Sequence, residues 1–361
     1  MGTIDRWFRV GVACAAGAVL GACGETGETG ESAGPQDDAA SADTGTPGRY
    51  SVVATVGMIG DVAHNLAGDR ATVETLVPAD VDPHLYSPTR NDIQKLIGAD
   101  LLLYNGRQLE GKMGIALEKA AQSGTLVVAV AEVIDEGLLL RSGEIDETYD
   151  PHVWMNPVAW GEVVAVVQDS LAELDPDGEP VYAAASEVYR AELAELDAYA
   201  EEVLASVPEQ QRVLVTAHDA FNYFGRRYGF EVVGVQGLST EAEAGVRDVE
   251  RLVDLIVDRG IRAVFVESTV SDRSVQALIG GAKARGQQVV VGGELYSDAM
   301  GPEGTYEGTY LGMIDHNVTT IARSLGGDAP EGGRTGRLAA GRLETGGPSD
   351  ERPQSGAEGG G

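Results

Sequence analysis

Short β-branched runs alternate with helical stretches along most of this chain, and that alternation constrains the fold more than any other feature. In a first group the strand patterns are Ser51–Val56, Ala71–Val77, Asp100–Tyr104 and Thr125–Val130, followed by helical patterns at Gly60–Ala67, Thr89–Ile97, Gly111–Gln122 and Pro157–Leu174. A second group has strands at Arg212–Thr216, Glu231–Gln236, Ala263–Glu267 and Gln287–Val291, with helices at Ala220–Tyr228, Val246–Arg259, Ser271–Arg285 and Tyr306–Leu325. Elements in this order predict an α/β protein of two β/α lobes, residues 49–177 and 208–327, with mainly parallel sheets.

Between the groups lies Gly178–Val207, rich in Ala, Glu and Leu, with no Pro after Pro180 and no strand character. Leu193, Leu196, Ala200, Val203 and Leu204 recur at helical spacing, which predicts one long helix joining the lobes. A stiff connector of this kind would limit large closure motions.

The ends have a different character. Arg6 and Arg9 precede a short apolar run, Val10–Leu20. That run is shorter than the roughly 20 residues needed to cross a bilayer, and it has the size of a signal-peptide core, giving a signal at 1–22. The run ends at Leu20-Gly21-Ala22-Cys23, which resembles a bacterial lipobox, in which the Cys is acylated and becomes the mature N-terminus. Gly24–Gly48 is Gly, Glu, Thr, Ser, Ala, Asp and Pro with one Gln, and has almost nothing to bury. Residues 23–48 therefore read as a lipidated Cys and flexible tether spanning about 25–30 Å, and Asp328–Gly361 reads as a disordered tail. The expected location is extracytoplasmic, held at the cell membrane by the lipid. The two cysteines are Cys14 and Cys23. Neither is available to the exported domain as a nucleophile or ligand, so metal chemistry must come from His, Asp and Glu. With 26 basic against 57 acidic residues the net charge is −31. Nucleic acid is excluded as a partner, because a phosphate backbone needs a basic face. The acidity itself reads as a solvated surface.

Of five histidines, three follow predicted strands. The first two share a pattern: Asp82-Pro83-His84-Leu85-Tyr86-Ser87-Pro88 and Asp150-Pro151-His152-Val153-Trp154-Met155-Asn156-Pro157. Proline stiffens each loop ahead of its imidazole, and the preceding Asp is placed to hold the ring nitrogen that does not bind metal. A repeated rigid motif points to metal ligation, where a lone His would not. His218, in Thr216-Ala217-His218-Asp219-Ala220-Phe221, stands where an apolar strand runs into a helix start. It serves equally well there as a ligand or as a neighbour of the helix N-terminus. Asp298, in Gly292-Gly293-Glu294-Leu295-Tyr296-Ser297-Asp298-Ala299-Met300-Gly301, reads unaided as a turn or cap residue. His64 and His316 fit helical faces and read as structural or exposed. Three imidazoles and one carboxylate, two from each lobe, would form a four-coordinate set in the cleft, suited to zinc and acceptable to manganese.

The segments DPHLYSP, DPHVWMNP, VTAHDAFNYF, GVQGLSTEAEAG and GGELYSDAMG, in this order, resemble the zinc/manganese ABC-transporter solute-binding lipoproteins, the TroA-like family. The resemblance runs from about Tyr50 to Leu325. It implies two β/α lobes joined by one long helix, with a zinc or manganese ion bound between them by His84, His152, His218 and Asp298. It also implies delivery to an ABC permease and its ATPase, and a monomer is expected. Members with Glu in place of His218 resemble manganese binders, and members dedicated to zinc carry a His-rich loop before the second motif. Glu132–Tyr149 contains no His, which places this chain with mixed-specificity members.

Two other classes compete with a transport receptor. A metal-independent adhesin could keep the same fold. A zinc hydrolase would need an open coordination position and a nearby base, and no His-Glu-x-x-His or similar motif is present; no enzyme activity is expected. Gly106–Lys112 imitates a phosphate-binding loop, but Met113 follows where a Ser or Thr hydroxyl would be needed.

Overall fold

The computed structural model describes residues 49–142 and 148–339. The signal, Cys23 and the tether, together with the end of the expected tail, lie outside the described residues. Within them the elements are β1 (Tyr50–Ala54), α1 (Gly57–Ala67), β2 (Ala71–Thr75), α2 (Arg90–Gly98), β3 (Leu101–Tyr104), α3 (Gly114–Gln122), β4 (Leu126–Ala129) and α4 (Pro157–Leu174) in the first half. The long helix α5 (Glu179–Ala205) follows. The second half holds β5 (Val213–His218), α6 (Asn222–Tyr228), β6 (Glu231–Gln236), α7 (Val246–Arg259), β7 (Ala263–Glu267), α8 (Arg273–Ala284), β8 (Val290–Leu295) and α9 (Tyr310–Ser324).

All named strand pairs are parallel. The first half is a four-stranded sheet in the order β2-β1-β3-β4. The second is built from two pairs, β5-β6 and β7-β8, with β5 running beside β7. Val52, Val53, Ala54, Leu101, Leu102 and Leu103 are buried, as expected for strands covered by helices on both faces. Local chemistry sets the helix ends. Thr89 and Asp92 form a reciprocal capping box at the start of α2, Asn156 caps α4 ahead of Pro157, and Thr309 caps α9.

The long helix has 27 residues, a rod of about 40 Å. Tyr182, Tyr189, Leu193, Leu196, Ala200, Val203 and Leu204 form its buried face. They belong to one apolar core that also takes in Val52 and Ala54 of β1, Trp160 and Val163 of α4, Phe265 of β7 and Met313 and Ile321 of α9. The two halves therefore share a core instead of each closing on itself. Two smaller cores fill the outer layers, one around Leu96, Leu102 and Met113 and the other around Leu252, Ile256 and Leu278.

Several boundaries shift, among them that of the last helix, which is expected from Tyr306 and starts at Tyr310 behind its Thr309 cap. Strand β8 begins at Val290, later than the predicted Gln287, and runs on through Gly292 and Gly293. Gln287 instead closes the turn after α8, donating its N–H to Ala282 O and its side-chain amide to Ile261 O. Glycine normally weakens a strand, but here a Cβ on Gly292 would meet the Phe265 ring at 2.7 Å, so close packing requires its absence. The tail expected from Asp328 is packed as far as Ala339. Asp315 accepts the Arg334 N–H, Glu307 accepts the Ala339 N–H, and Leu338 is buried.

Candidate metal centre

The site forms where the carboxyl ends of the strands from both halves face each other, the usual place for ligands in open parallel sheets. His84 lies in the loop after β2 and His152 in the loop after β4. His218 ends β5, and Asp298 follows β8. All four are buried, and each offers one ligand atom within 4.8 Å of the others. His84 Nε2 and His152 Nε2 are 3.3 Å apart, His152 Nε2 is 3.4 Å from Asp298 Oδ1, and His218 Nε2 is 3.2 Å from Asp298 Oδ2. The widest of these gaps is 3.8 Å, from His84 Nε2 to Asp298 Oδ2. Donor atoms around a tetrahedral zinc at ordinary bond lengths stand about 3.3 Å apart, so the cage has the size of one ion.

Carboxylates outside the cage set the tautomers of two imidazoles. Asp150 Oδ1 accepts both the backbone N–H of His152 at 2.9 Å and its ring Nδ1–H at 2.8 Å. Glu267 does the same for His218 with its two oxygens, at 2.9 Å to the backbone and 2.5 Å to the ring. A proton held on Nδ1 leaves the Nε2 lone pair pointing inward. The expectation for Asp82 is corrected. One oxygen accepts the His84 backbone N–H at 2.8 Å, and the other is taken by the Thr240 hydroxyl. Neither reaches the imidazole.

His218 Nε2 and both Asp298 oxygens are buried without a hydrogen-bond partner. Orphaned acceptors facing one another in a dry interior are costly, and a cation at their centre relieves the repulsion. The acid–base balance points the same way. Burial lowers the His84 pKa to about 3 against the attraction of Asp298. Burial also opposes charge on His218, but Glu267 and Asp298 outweigh it and hold its pKa well above normal. Burial would raise Asp298, yet the imidazoles, His218 foremost, hold it below the usual carboxylate range. In the absence of an ion the same surroundings favour a proton on His218 Nε2, 3.2 Å from Asp298 Oδ2, in the position where a metal ion would otherwise neutralise the carboxylate.

The other histidines stay apart. His64 is exposed on α1, beside a cavity of about 580 Å³ that reaches Asp298 but none of the three clustered imidazoles. His316 faces the Glu294 carbonyl at 2.9 Å and packs on Tyr296. Gly106–Lys112 serves the fold, since the buried Glu110 within it accepts the Asn105 and Gly106 N–H groups and the Thr55 hydroxyl. Sequence reasoning missed Glu267 and Thr240. A carboxylate closing the apolar strand Ala-Val-Phe-Val was the available signal for Glu267, and Thr240 had none.

Parallel β/α halves on a shared helix, with a buried three-His, one-Asp cage between them, define a metal-capturing binding protein. The family model for the zinc-uptake complex component A, periplasmic (ZnuA), matches residues 52–324, and the chain belongs to that family. It is 44% identical over 277 residues to the manganese-binding lipoprotein MntA of Bacillus subtilis, covering 77% of this chain and 90% of that one. It is 45% identical over 285 residues to the zinc-binding protein TroA of Treponema pallidum, covering 79% and 92%. The solved structure of the periplasmic zinc-binding protein TroA superimposes with a TM-score of 0.74 at 44% identity, over 77% of this chain and 99% of that one.

Proposed function

We propose that this chain is an extracytoplasmic lipoprotein that captures one divalent transition-metal ion, zinc or manganese, and hands it to an ABC permease and its ATPase. The convergence of His84, His152, His218 and Asp298 from both halves carries the reading, with the family membership beside it. The ion is cargo, held by Nε2 of the three imidazoles and a carboxylate oxygen of Asp298. Relatives of nearly equal identity carry manganese in one name and zinc in the other, so both ions are candidates here.

Catalysis is disfavoured by the same geometry. A catalytic zinc keeps an open position and a free base, whereas four protein atoms surround this centre. The nearby carboxylates Asp150 and Glu267 are engaged by Nδ1–H groups. Among the described residues no helix is long and apolar enough to cross a membrane. Attachment is assigned to acylated Cys23, with residues 24–48 as tether and a monomer as the working unit.

The test is a competition titration of the metal-free protein with zinc against manganese, one site per chain expected. Cys23→Ser should leave that site intact while moving the protein from the membrane to the soluble fraction. Failure to bind either ion would overturn the receptor reading, and unchanged fractionation would overturn the anchor.

A further inference from the structure

The two Asp-Pro-His loops are held very differently. The loop carrying His152 is fastened by many bonds. Asp150 Oδ2 accepts from the Asn222 amide at 3.2 Å, and the Asp150 carbonyl accepts from the Tyr223 hydroxyl at 2.9 Å. The Pro151 carbonyl accepts from the Asn105 amide at 3.0 Å. The Tyr310 hydroxyl donates to the Trp154 carbonyl at 2.7 Å, and the Trp154 indole donates to the Ser297 carbonyl at 2.8 Å. These bonds join both halves and bury His152 completely.

The loop carrying His84 has one comparable tie to the second half. The Thr240 hydroxyl donates to Asp82 Oδ2, while Asp82 Oδ1 accepts the His84 backbone N–H. Thr240 sits in the loop between β6 and α7, and both it and Asp82 are buried. Beside it, Glu241 reaches Lys112 at 3.6 Å. That pair is solvent-exposed and contributes little. His84 is the least buried of the four clustered residues, at 5%, and the adjoining Leu85 is exposed.

From this contrast we infer that Thr240 is a positioning residue, latching the second half onto Asp82 and thereby holding His84 over the ion. The inference rests on the four-residue reading of the site. With the latch made, one hydroxyl bridges the cleft and carries the backbone of His84 with it. With the latch broken, the His84 loop keeps ties only to its own half, the turn at Asp82 and the Tyr86 hydroxyl that donates to Asp92 at 2.7 Å, while the other three side chains stay in place. The ion then leaves, and arrives, on the His84 side.

A hydrogen bond from a hydroxyl to a buried carboxylate is strong enough for its loss to be seen as at least a tenfold change in rate. The experiment loads the full-length protein with zinc and follows release to a chromophoric chelator by stopped flow. Thr240→Val, which keeps the shape and removes the donor, should release zinc at least tenfold faster. Thr240→Ser should restore release to within about twofold of the original, and Lys112→Ala should leave it unchanged. Without metal, Thr240→Val should still melt cooperatively, its melting temperature lowered by only a few degrees for the one donor lost. Asp82→Ala combined with Thr240→Val should release no faster than Asp82→Ala alone, because both remove the same bond. Wild-type release from Thr240→Val, or equally fast release from Thr240→Ser, would overturn the latch. A parent protein that holds no zinc would overturn the four-residue reading, and the latch with it.

Discussion

The loops at His84 and His152 begin with the same three residues, yet they occupy different physical situations. At His152 a single Asp150 oxygen grips both backbone and ring, and aromatic hydroxyls and an indole pin the surrounding chain to the second half. At His84 the corresponding Asp82 grips only the backbone, and its second oxygen looks across the cleft to Thr240. A repeated motif thus supplies a fixed wall on one side of the cage and a latched one on the other. The lesson concerns receptors that must hold an ion and then give it up. Rigidity in every ligand would oppose release, whereas a shared core with one lightly tied ligand allows release without opening the whole protein.

The harshest way to probe this contrast is to delete its fixed side. His152→Ala should weaken zinc binding at least a hundredfold in a competition assay, because a cage of this size loses a donor and leaves Asp298 short of a partner. A loss under tenfold would mean that His152 is not a ligand. Removing the supports comes next. Asp150→Ala should cost about thirtyfold in affinity, within the range typical of groups that orient metal-binding imidazoles. Asp82→Ala should cost about tenfold and act mainly on the release rate, since no ring nitrogen depends on it. Equal losses by the same kinetic route would erase the distinction between the loops.

Acidity separates His84 from His218 in the second half. With its pKa near 3, His84 stays neutral across the physiological range, so protons do not compete there. At His218, Glu267 and Asp298 push the other way and favour the protonated form in the metal-free protein, so a zinc bound there would compete with that proton. The folded-state pKa of His218 lies above its unfolded value near ~6.5. Its contribution to the metal-free fold is therefore complete below that value and is lost as pH rises through the folded pKa. Zinc binding has the opposite trend. Apparent affinity should fall about tenfold per unit as pH drops while His218 is the proton released. The zinc-induced rise in melting temperature, worth about 2.7 kcal/mol at a free ion concentration of 100 times the dissociation constant, should shrink from pH 7.5 to pH 5. Melting curves with zinc and with chelator measure it, and an increment independent of pH would count against histidine ligation. The smallest effects belong to the controls. His64→Ala and His316→Ala should each change affinity less than twofold, because neither side chain joins the cluster.

Much of this was legible in the chain itself. Helices α4 and α7 and strands β6 and β7 fall on the residues their periodicity predicts, because each is an amphipathic or apolar run with a clear stop. Strand β8 was misplaced because Gly292 and Gly293 speak against a strand until Phe265 is known to lie over them. The packed chain runs past Asp328 because Asp315 and Glu307, distant in sequence, accept the Arg334 and Ala339 N–H groups, and a Gly-rich stretch with few apolar residues gives no sign of this. At the site, the doubled Asp-Pro-His pattern marked His84 and His152. His218 and Asp298 needed the family resemblance, since a His at a strand end and an Asp in a turn are ordinary. The wiring was hidden: Glu267 meets His218 across 49 residues, and Thr240 meets Asp82 across 158. Pairings at such separations leave no periodic trace.

The most direct test of the central claim is the metal content of the protein purified without chelator, compared with that of Asp298→Ala. Asp298 faces all three imidazoles, so it is the residue on which the cage closes. Elemental analysis should find one zinc or manganese per chain in the parent protein. The Asp298→Ala protein should retain less than about a tenth of that after gel filtration while still melting as a cooperatively folded protein without metal. A full complement of metal in Asp298→Ala, or none in the parent after incubation with either ion, would contradict the account.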